Sequence, residues 1–448
     1  MSIIYHNIDD ILVNKRNKED FNATITWISL EQGKYMEILK INNFLVIKEA
    51  KFEVKKVNII IGPQANGKSI LVKLLYFFKE IMSVTFLMSV KNNESKQNFI
   101  KNIEDLFEKY FPKYAWKDKD FTIIYTYDEI EFIISKTSSQ RNIKIEINDA
   151  VTKLHRDLKS RYKKNIKEAS HEDDFGDAFF QLKYKYISNN SEISKYFDES
   201  LFIPASRSFF ANLQKNIFSF LARNIDIDPF MSEFGSKYEF AKKMYSNGRF
   251  LKIRHEKDKI YQKVEKIVES ILNGSYKYKD DQDWIERDGE IINLSNASSG
   301  QQESLPMLLI LSVFPFMNGN DRENTYFMEE PEAHLFPISQ KHIVSLIGLL
   351  YNKNRKSVIT THSPYILTAL NNLLLACDVK NQLGSESLNG IIDEEFCINF
   401  DDVKAYTITH GKLVSIMDNE ERLIGINIID SVSDEFNNTF DKLLSLQA

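Results

Sequence analysis

The stretch that most constrains this chain runs from Ile59 to Ser69. It begins with three isoleucines, continues as Gly-x-x-x-x-Gly-Lys-Ser, and is followed by apolar residues at helical spacing. This signature indicates a phosphate-binding loop only where the loop joins a strand to a helix, as the pattern predicts here. Glycine at both ends of the loop permits backbone angles that turn successive N–H groups toward one anion. The pattern predicts a nucleoside triphosphate site.

Each part of this loop has a predicted role. Lys68 is expected to place its charge against the β- and γ-phosphates and to contribute to catalysis, and the Ser69 hydroxyl is expected to bind Mg²⁺. The first turn of the following helix adds N–H groups and the positive end of the helix dipole. ATP and Mg²⁺ are therefore the predicted cofactors. The predicted nucleotide contacts are Gly62, Pro63, Gln64, Ala65, Asn66, Gly67, Lys68, Ser69 and Ile70.

Composition narrows the class of protein. The net charge of −5 argues against a chain coated with positive charge but leaves room for a local basic face. Only Cys377 and Cys397 are present, too few for a disulfide framework or a cysteine metal site, which suits a reducing cytosol. The longest apolar stretch, Pro306 to Met317, is too short to span a bilayer. A cytoplasmic protein without a membrane segment is expected.

A second motif combines a strand of buried type with paired carboxylates. Thr325 to Met328 has strand composition, and Glu329 and Glu330 follow it directly. Buried acids at a strand end are costly unless a metal or another partner balances them. Glu329 is therefore predicted to hold Mg²⁺ through water, and Glu330 to orient or deprotonate the attacking water. The alternative is an exposed acidic turn after an edge strand.

Two further motifs complete the set. The strand from Ser357 to Thr361 ends at His362, which is either a structural histidine or a catalytic residue that reaches the γ-phosphate. Before an apolar helix, a Ser-Ser-Gly turn can direct N–H groups and a hydroxyl at an anion. The predicted nucleotide contacts of this turn are Ser299, Gly300 and Gln301.

The chain is predicted to contain four segments. Residues 1–34 form an N-terminal extension, and residues 35–150 form an ATPase lobe with the phosphate loop and an antiparallel β subdomain, whose first hairpin turns at Asn42 to Phe44. Residues 151–290 form an inserted, mostly helical lobe. Residues 291–448 form the C-terminal ATPase lobe and end in a predicted amphipathic helix from Ser433 to Leu446. Lysines and arginines between Val151 and Lys167 indicate a nucleic-acid-facing helix or a solvated basic face.

In their order, these motifs resemble the ATP-binding-cassette (ABC) ATPases of the chromosome-associated branch, which includes the RecF, SMC and overcoming-lysogenization-defect (OLD) families. The phosphate loop is followed by a large insertion, the Ser-Gly signature, the carboxylate motif and the histidine. The OLD-like group has the carboxylate motif Glu-Glu-Pro-Glu-Ala-His-Leu with a proline soon after, as Glu329 to Pro337 does here. Ile203-Pro204-Ala205-x-Arg207 also resembles a segment of that group and makes Arg207 a secondary candidate.

The resemblance implies an α/β P-loop fold of the ABC-head type, in which ATP lies between the phosphate loop of one subunit and Ser299 and Gly300 of another. A homo-oligomer built from dimers is therefore expected. The chain departs from SMC proteins because it has no long coiled-coil arm, and from full OLD nucleases because residues 371–448 lack the Asp-x-Asp of a Toprim domain. No nuclease activity is expected in this chain.

Stand-alone ATPases of this type resemble the nucleotide-sensing subunits of bacterial anti-phage systems such as Septu and PARIS. The resemblance implies a sensor or scaffold that controls a separately encoded effector, most simply a nuclease. A RecF-like DNA-repair ATPase that binds nucleic acid is the alternative, and a toxin–antitoxin regulator is a third.

Overall fold

A mixed sheet of eleven strands crosses the part of the chain that the structure describes. The computed structural model describes residues 36–168, 175–213, 227–246, 259–317, 324–425 and 437–445. The predicted extension at residues 1–34 lies outside the described residues. In sheet order the strands are β6 (Lys144–Ile147), β5 (Ile130–Lys136), β4 (Phe121–Tyr127), β1 (Glu37–Phe44), β2 (Ile47–Val54), β14 (Lys412–Ser415), β13 (Val403–Thr409), β3 (Val57–Ile61), β12 (Lys356–Thr361), β11 (Asn324–Glu329) and β7 (Glu199–Ile203).

The sheet has a parallel half and an antiparallel half. Strands β13, β3, β12, β11 and β7 pair in parallel, whereas β6, β5, β4, β1 and β2 pair in antiparallel fashion. Strand β14 joins the halves because it pairs antiparallel with β13 and parallel with β2. All residues of β3 and β11 are buried, as expected for parallel strands covered on both faces.

Helices cover both faces of the parallel half. Along β3, Ile60 belongs to one buried apolar cluster, whereas Ile59 and Ile61 belong to the other. Because successive side chains of a strand point to opposite faces, the two clusters lie on opposite sides of the sheet. The helices are α1 (Lys68–Glu80), α2 (Leu87–Lys91), α3 (Lys96–Tyr110), α4 (Asp149–Glu168), α5 (Phe175–Phe180), α6 (Ser191–Ser194), α7 (Pro229–Ser246), α8 (Lys259–Leu272), α9 (Ser299–Met317), α10 (Pro337–Asn352) and α11 (Pro364–Leu383).

Two smaller β elements lie outside the main sheet. A three-stranded antiparallel sheet consists of β8 (Ser275–Lys279), β9 (Gln282–Arg287) and β10 (Glu290–Asn293). A short hairpin consists of β15 (Met417–Asp418) and β16 (Leu423–Ile424). None of the helices among the described residues is both long and apolar enough to cross a membrane.

The predicted α/β fold with an antiparallel β extension is confirmed. Between residues 151 and 290 helices predominate, but the same segment supplies β7 to the edge of the main sheet and β8 and β9 to the small one. The proposed boundaries at 150 and 290 fall inside α4 and β10. The division into domains stays a prediction.

The turn predicted at Asn42 to Phe44 is wrong, because these residues belong to β1. Strand β1 continues to Phe44, because the Phe44 ring is buried against Phe107, Phe111 and Phe121. The chain therefore reverses at residues 45 and 46. At the other end of the chain, residues 437–445 of the predicted amphipathic helix are helical and exposed, and the rest of that helix lies outside the described residues.

A buried charge network ties the parallel half to the antiparallel half. The Lys79 ammonium at the end of α1 lies 2.9 Å from Glu37 in β1 and 3.5 Å from Asp198 before β7. Asp198 also pairs with Lys356 at the start of β12, at 3.3 Å, and Glu37 accepts a hydrogen bond of 2.8 Å from Tyr125. Removal of one partner would leave a buried charge uncompensated, so this network specifies how the two halves meet.

His155 of α4 is a buried histidine outside the predicted site. Its ring stacks on Phe99, with centroids 5.3 Å apart, and its Nε2 lies 2.7 Å from the Ser89 hydroxyl. Burial and, to a smaller extent, the positive charge of Lys159 lower the pKa of His155 to about 4, and the negative charge of Glu94 opposes this shift. The folded chain therefore holds this imidazole in its neutral form near neutral pH.

We predict a pH-dependent contribution of His155 to stability. Its pKa of about 4 lies below the ordinary value of 6.5, so between these values the unfolded state binds the additional proton. The free energy of unfolding should therefore fall as the pH falls through this range, by roughly 3 kcal/mol in total. His155→Phe keeps an aromatic ring against Phe99 and should lose this part of the pH dependence.

The measurement is denaturant unfolding of the parent and of His155→Phe at about pH 7 and about pH 5. The difference between the two proteins cancels the opposite contribution of Glu80, whose pKa burial raises to about 7. His410→Asn, at an exposed turn position, is the matched control. A parent-minus-variant difference that is the same at both pH values would contradict the prediction.

Candidate functional site

The predicted site residues converge at one edge of the sheet. Strands β3, β12 and β11 are parallel neighbours in that order, so their carboxyl ends lie at the same edge. The phosphate loop follows β3, His362 follows β12, and Glu330 follows β11. Because β12 is the middle strand, His362 is placed between the loop and the carboxylate. Such an edge is the usual ligand site of open α/β sheets.

The phosphate loop is held from two sides. Gly67 has a φ of 96°, in the left-handed region that favours glycine, and a Cβ there would lie 2.9 Å from the Val46 side chain. The turn between β1 and β2 therefore packs directly on the loop backbone. On the other side, the Asn66 side-chain amide donates a 3.2 Å hydrogen bond to the Ile408 carbonyl of β13. These contacts preorganise the loop backbone.

The start of α1 is suited to an anion. The helix begins at Lys68, and its N-cap Gly67 supplies no side-chain cap, nor does the first turn carry an acidic residue. The first N–H groups of a helix lack intrahelical partners and favour negative charge. Pro63 to Ala65 and Ser69 are exposed at this end of the helix, whereas the Lys68 side chain is buried.

Lys68 lies folded back on the loop. Its ammonium donates hydrogen bonds of 2.7 Å to the carbonyls of Gly62 and Pro63 and lies 3.4 Å from Nδ1 of His362. An ammonium group has three donors, so these contacts account for all of them. Burial lowers the pKa of Lys68, and the negative charges of Glu330 and Glu332 oppose that effect.

His362 connects Lys68 to the carboxylate of Glu330. Its Nε2 lies 3.0 Å from Oε1 of Glu330. Because the Lys68 ammonium can only donate, Nδ1 of His362 is the acceptor, and the proton of the neutral ring is then on Nε2, where it donates to Glu330. One line of hydrogen bonds therefore joins the residues that follow β3, β12 and β11.

Glu332 fixes the position of His362 but is not among the predicted site residues. Its Oε1 accepts a 2.8 Å hydrogen bond from the backbone N–H of His362 and a 2.6 Å bond from the Thr361 hydroxyl. The side chain is buried, and these bonds compensate the charge on Oε1 only. The only sequence signal for this role is a third acid directly after the Glu-Glu-Pro turn.

Glu330 combines a strained backbone with an accessible side chain. Its φ is 44°, a costly value for a residue with a Cβ, and its N–H donates a 2.9 Å bond to the Thr360 carbonyl. The Glu330 side chain is 38% exposed. The backbone twist thus turns this carboxylate out of the sheet edge, where it can meet water.

Glu329 fits a cation site. Its side chain is buried, and Oε2 accepts a long 3.4 Å hydrogen bond from the Ala205 N–H. Within the described chain, Oε1 of Glu329 and Oε2 of Glu332 are buried without a hydrogen-bond partner. Unpaired buried carboxylate oxygens are costly, and Mg²⁺ prefers oxygen ligands. The residues present therefore fit Mg²⁺, and ligation by Ser69 and Glu329 stays a prediction.

The side chain of Gln301 caps α9. Its Oε1 accepts a 3.1 Å bond from the Ser298 N–H, and its own N–H lies 3.4 Å from the Ser298 hydroxyl. This reciprocal arrangement is a capping box. The Gln301 amide also donates a 2.7 Å bond to the Leu272 carbonyl at the end of α8. A nucleotide contact by Gln301 would therefore compete with these bonds and stays a prediction.

The start of α9 packs on the turn that follows Glu330 in the same chain. A Cβ on Gly300 would lie 2.8 Å from the His334 carbonyl, so only glycine permits this approach. Ser299, the neighbouring predicted contact, is exposed. The signature turn therefore lies beside the carboxylate motif with its hydroxyl accessible. Contact of Ser299 or Gly300 with a nucleotide stays a prediction.

We predict that Lys68→Ala abolishes nucleotide binding, because no other cation of the described loop can replace its charge against the terminal phosphates. Calorimetric titration with Mg-ATP measures this. Lys73→Ala is the matched control, since Lys73 lies on the same helix but pairs with Asp228 at 3.6 Å. Normal affinity in Lys68→Ala would show that the loop is not the nucleotide site.

Among solved structures, heads of SMC proteins are similar to this chain. The SMC head bound to the C-winged helix domain of ScpA is 12% identical, with a TM-score of 0.40 and coverage of 86% of this chain and 98% of that chain. The SMC head domain from Thermotoga maritima is 10% identical, with a TM-score of 0.35 and coverage of 85% and 98%. The Smc head with an extended coiled coil from Pyrococcus furiosus, bound to the C-terminal domain of ScpA, is 13% identical, with a TM-score of 0.35 and coverage of 90% and 99%.

The sequence has no significant match among curated proteins. The family model described as the AAA ATPase domain matches residues 35–367, a range that includes the phosphate loop, the carboxylate motif and His362. Because this match covers most of the chain, the protein belongs to the AAA ATPase domain family and is an ATPase.

Proposed function

We propose that this ATPase is of the ABC type, that it hydrolyses ATP at sites shared between two copies of the chain, and that it controls a separate effector. The observation that carries the shared site is a group of exposed apolar side chains at the edge where the site lies. Phe336, Ile338 and Tyr365 are 75%, 56% and 53% exposed.

The line of hydrogen bonds from Lys68 through His362 to Glu330 supports the proposed mechanism of hydrolysis. On nucleotide binding, Lys68 exchanges its bonds to the Gly62 and Pro63 carbonyls for bonds to phosphate oxygens. Mg²⁺, when bound, neutralises charge on the same phosphates. Glu330, exposed at the edge, accepts a proton from the attacking water, and His362 orients its carboxylate. Glu332 holds the backbone of His362 in place through its hydrogen bonds to the Thr361 hydroxyl and the His362 N–H.

The position of the exposed apolar side chains supports the association of two copies of the chain. Phe336 and Ile338 lie at the start of α10, directly after the carboxylate motif, and Tyr365 lies at the start of α11, directly after His362. Large apolar side chains exposed beside a functional site are typical of interaction surfaces. The exposed Ser299 hydroxyl of α9 would then face the nucleotide of the second copy.

The effector is the part of the proposal that rests on the resemblance to stand-alone ATPases of anti-phage systems. In this proposal the ATP-dependent change in association is the signal, and a separately encoded nuclease responds to it. Co-purification with the product of the neighbouring gene, followed by a nuclease assay with and without Mg-ATP, tests this part separately.

We predict that Glu330→Gln binds ATP but hydrolyses it about 10²- to 10⁴-fold more slowly, because the amide cannot accept the proton. In Mg-ATP the variant should accumulate as a dimer in analytical ultracentrifugation. Adding Phe336→Glu should abolish the dimer while ATP binding remains.

The matched control is Leu383→Glu in the Glu330→Gln background, because Leu383 is 72% exposed and lies at the opposite end of α11 from Tyr365. It should leave the dimer unchanged. If Glu330→Gln hydrolyses ATP at the parental rate, the general base is a residue other than Glu330. A dimer that survives Phe336→Glu would refute the proposed interface.

A second candidate function is a DNA-binding ATPase, favoured by the exposed basic face of α4. Lys153, Arg156 and Lys163 are exposed on this helix, whereas Lys159 is partly buried and donates to the Glu94 carbonyl. Clustered exposed cations are the electrostatic footprint of phosphate binding.

This candidate predicts that reversing Lys153, Arg156 and Lys163 to glutamate weakens duplex binding. The slope of log K against log salt should become shallower by roughly one for each phosphate that the variant no longer neutralises. Fluorescence anisotropy at several salt concentrations measures the slope. The charge-matched control reverses Lys40, Lys48 and Lys277, which are exposed elsewhere. If the salt slope of the α4 variant equals that of this control, α4 does not contact the DNA phosphates and its basic face is only solvated.

A further inference from the structure

The Arg207 guanidinium lies fully buried between the carboxylate motif and helix α9. On one side, Nη1 donates hydrogen bonds of 2.8 Å to the Pro204 carbonyl and 2.7 Å to the Glu329 carbonyl. Nη2 donates a 3.0 Å bond to the Glu330 carbonyl. Arg207 therefore binds the carbonyl groups of both acids, which lie on either side of the Glu330 Cα.

On the other side, Arg207 binds Glu303 of α9. Its Nε donates a 2.9 Å bond to the Glu303 carbonyl, and Nη2 lies 3.4 Å from Oε1 of the Glu303 carboxylate. That carboxylate also accepts 2.8 Å bonds from the backbone N–H groups of Arg207 and Ser208. Guanidinium and carboxylate are thus both buried and paired, as a stable buried ion pair requires.

This arrangement needs arginine. A guanidinium group presents five N–H donors in one rigid plane, and here five acceptors surround Arg207. A lysine ammonium is a point charge with three donors and cannot reach acceptors on both sides of this plane. Because Arg207 is buried and its donors are engaged within the chain, its role is in holding the main chain rather than in contacting phosphate.

What Arg207 holds is the strained backbone of Glu330. The N–H of Glu330 donates to the Thr360 carbonyl, and the Glu330 carbonyl accepts 3.0 Å bonds from Arg207 and from the Ala333 N–H. A φ of 44° at a residue with a Cβ persists only when its surroundings fix it. Arg207 supplies one of these three restraints, and it is the one that connects Glu330 to α9, whose Gly300 packs on the same turn at His334.

We propose that Arg207 is a positioning residue for ATP hydrolysis: through its bonds to Glu303 and to the Glu330 carbonyl, it makes the orientation of the Glu330 carboxylate depend on the seating of α9. The proposal rests on the proposed role of Glu330 as general base. It adds how a contact at the exposed start of α9 would change the orientation of the Glu330 carboxylate.

The test is a double-mutant cycle of Arg207→Lys and Glu330→Gln, with kcat and ATP affinity measured separately. Misplacement of a catalytic group by about 1 Å can cost about 10²-fold, so Arg207→Lys alone should lower kcat about 10- to 100-fold. Its ATP affinity should stay within about threefold of the parent. In the Glu330→Gln background the same change should cost less than about twofold, because the group it positions is gone.

Glu303→Gln is the second variant, since it keeps the shape of the Arg207 partner and should reproduce the same loss of kcat if Arg207→Lys does not fold. Tyr351→Phe is the control, because it removes a 2.7 Å hydrogen bond to Asp402, directly before β13 and at the opposite edge of the sheet from the site, and should leave kcat unchanged. Equal losses in both backgrounds, or a parallel loss of ATP affinity, would overturn the positioning role alone. Parental turnover in Glu330→Gln would overturn the role of Glu330 and, with it, this proposal.

Discussion

The hydrogen bond between His362 and Glu330 depends on the order of three parallel strands. Only with β12 between β3 and β11 can a histidine contact the lysine of the phosphate loop and the carboxylate at once. The rest of the structure keeps those strand ends in place. Residues of β3 alternate between two buried clusters, and the network around Lys79 fixes the antiparallel half against the same sheet.

Two buried charged side chains near the site have no direct part in the proposed hydrolysis. Glu332 and Arg207 both lie buried behind the line from Lys68 to Glu330, and each is bonded to main chain rather than aimed at the site opening. Charges of this kind are tolerated only when paired and hydrogen-bonded, and in return they specify one geometry. Glu332 binds the backbone of His362, whereas Arg207 binds the backbone of Glu330, the proposed base. The proposed catalytic groups are therefore held in place by buried polar groups behind them.

The sequence predicts the phosphate loop, the paired acids and the histidine, because each signal is local: a strand followed by a few diagnostic residues. The α/β class followed for the same reason. It does not predict that β7 crosses from the inserted segment to the sheet edge, since strand pairing is a long-range property. Nor does it show the function of Arg207, whose bond to the Glu330 carbonyl joins residues 123 positions apart. The capping role of Gln301 was visible as Ser-x-x-Gln, but the same residues also fit an anion-binding turn.

The most direct measurement of the central claim is a structure of the Glu330→Gln variant with Mg-ATP. The account predicts the triphosphate on the loop after β3, with the Lys68 ammonium moved from the Gly62 and Pro63 carbonyls to phosphate oxygens and His362 still between the loop and residue 330. A nucleotide bound elsewhere, or a Lys68 ammonium that keeps its bonds to the loop carbonyls with ATP in place, would contradict it.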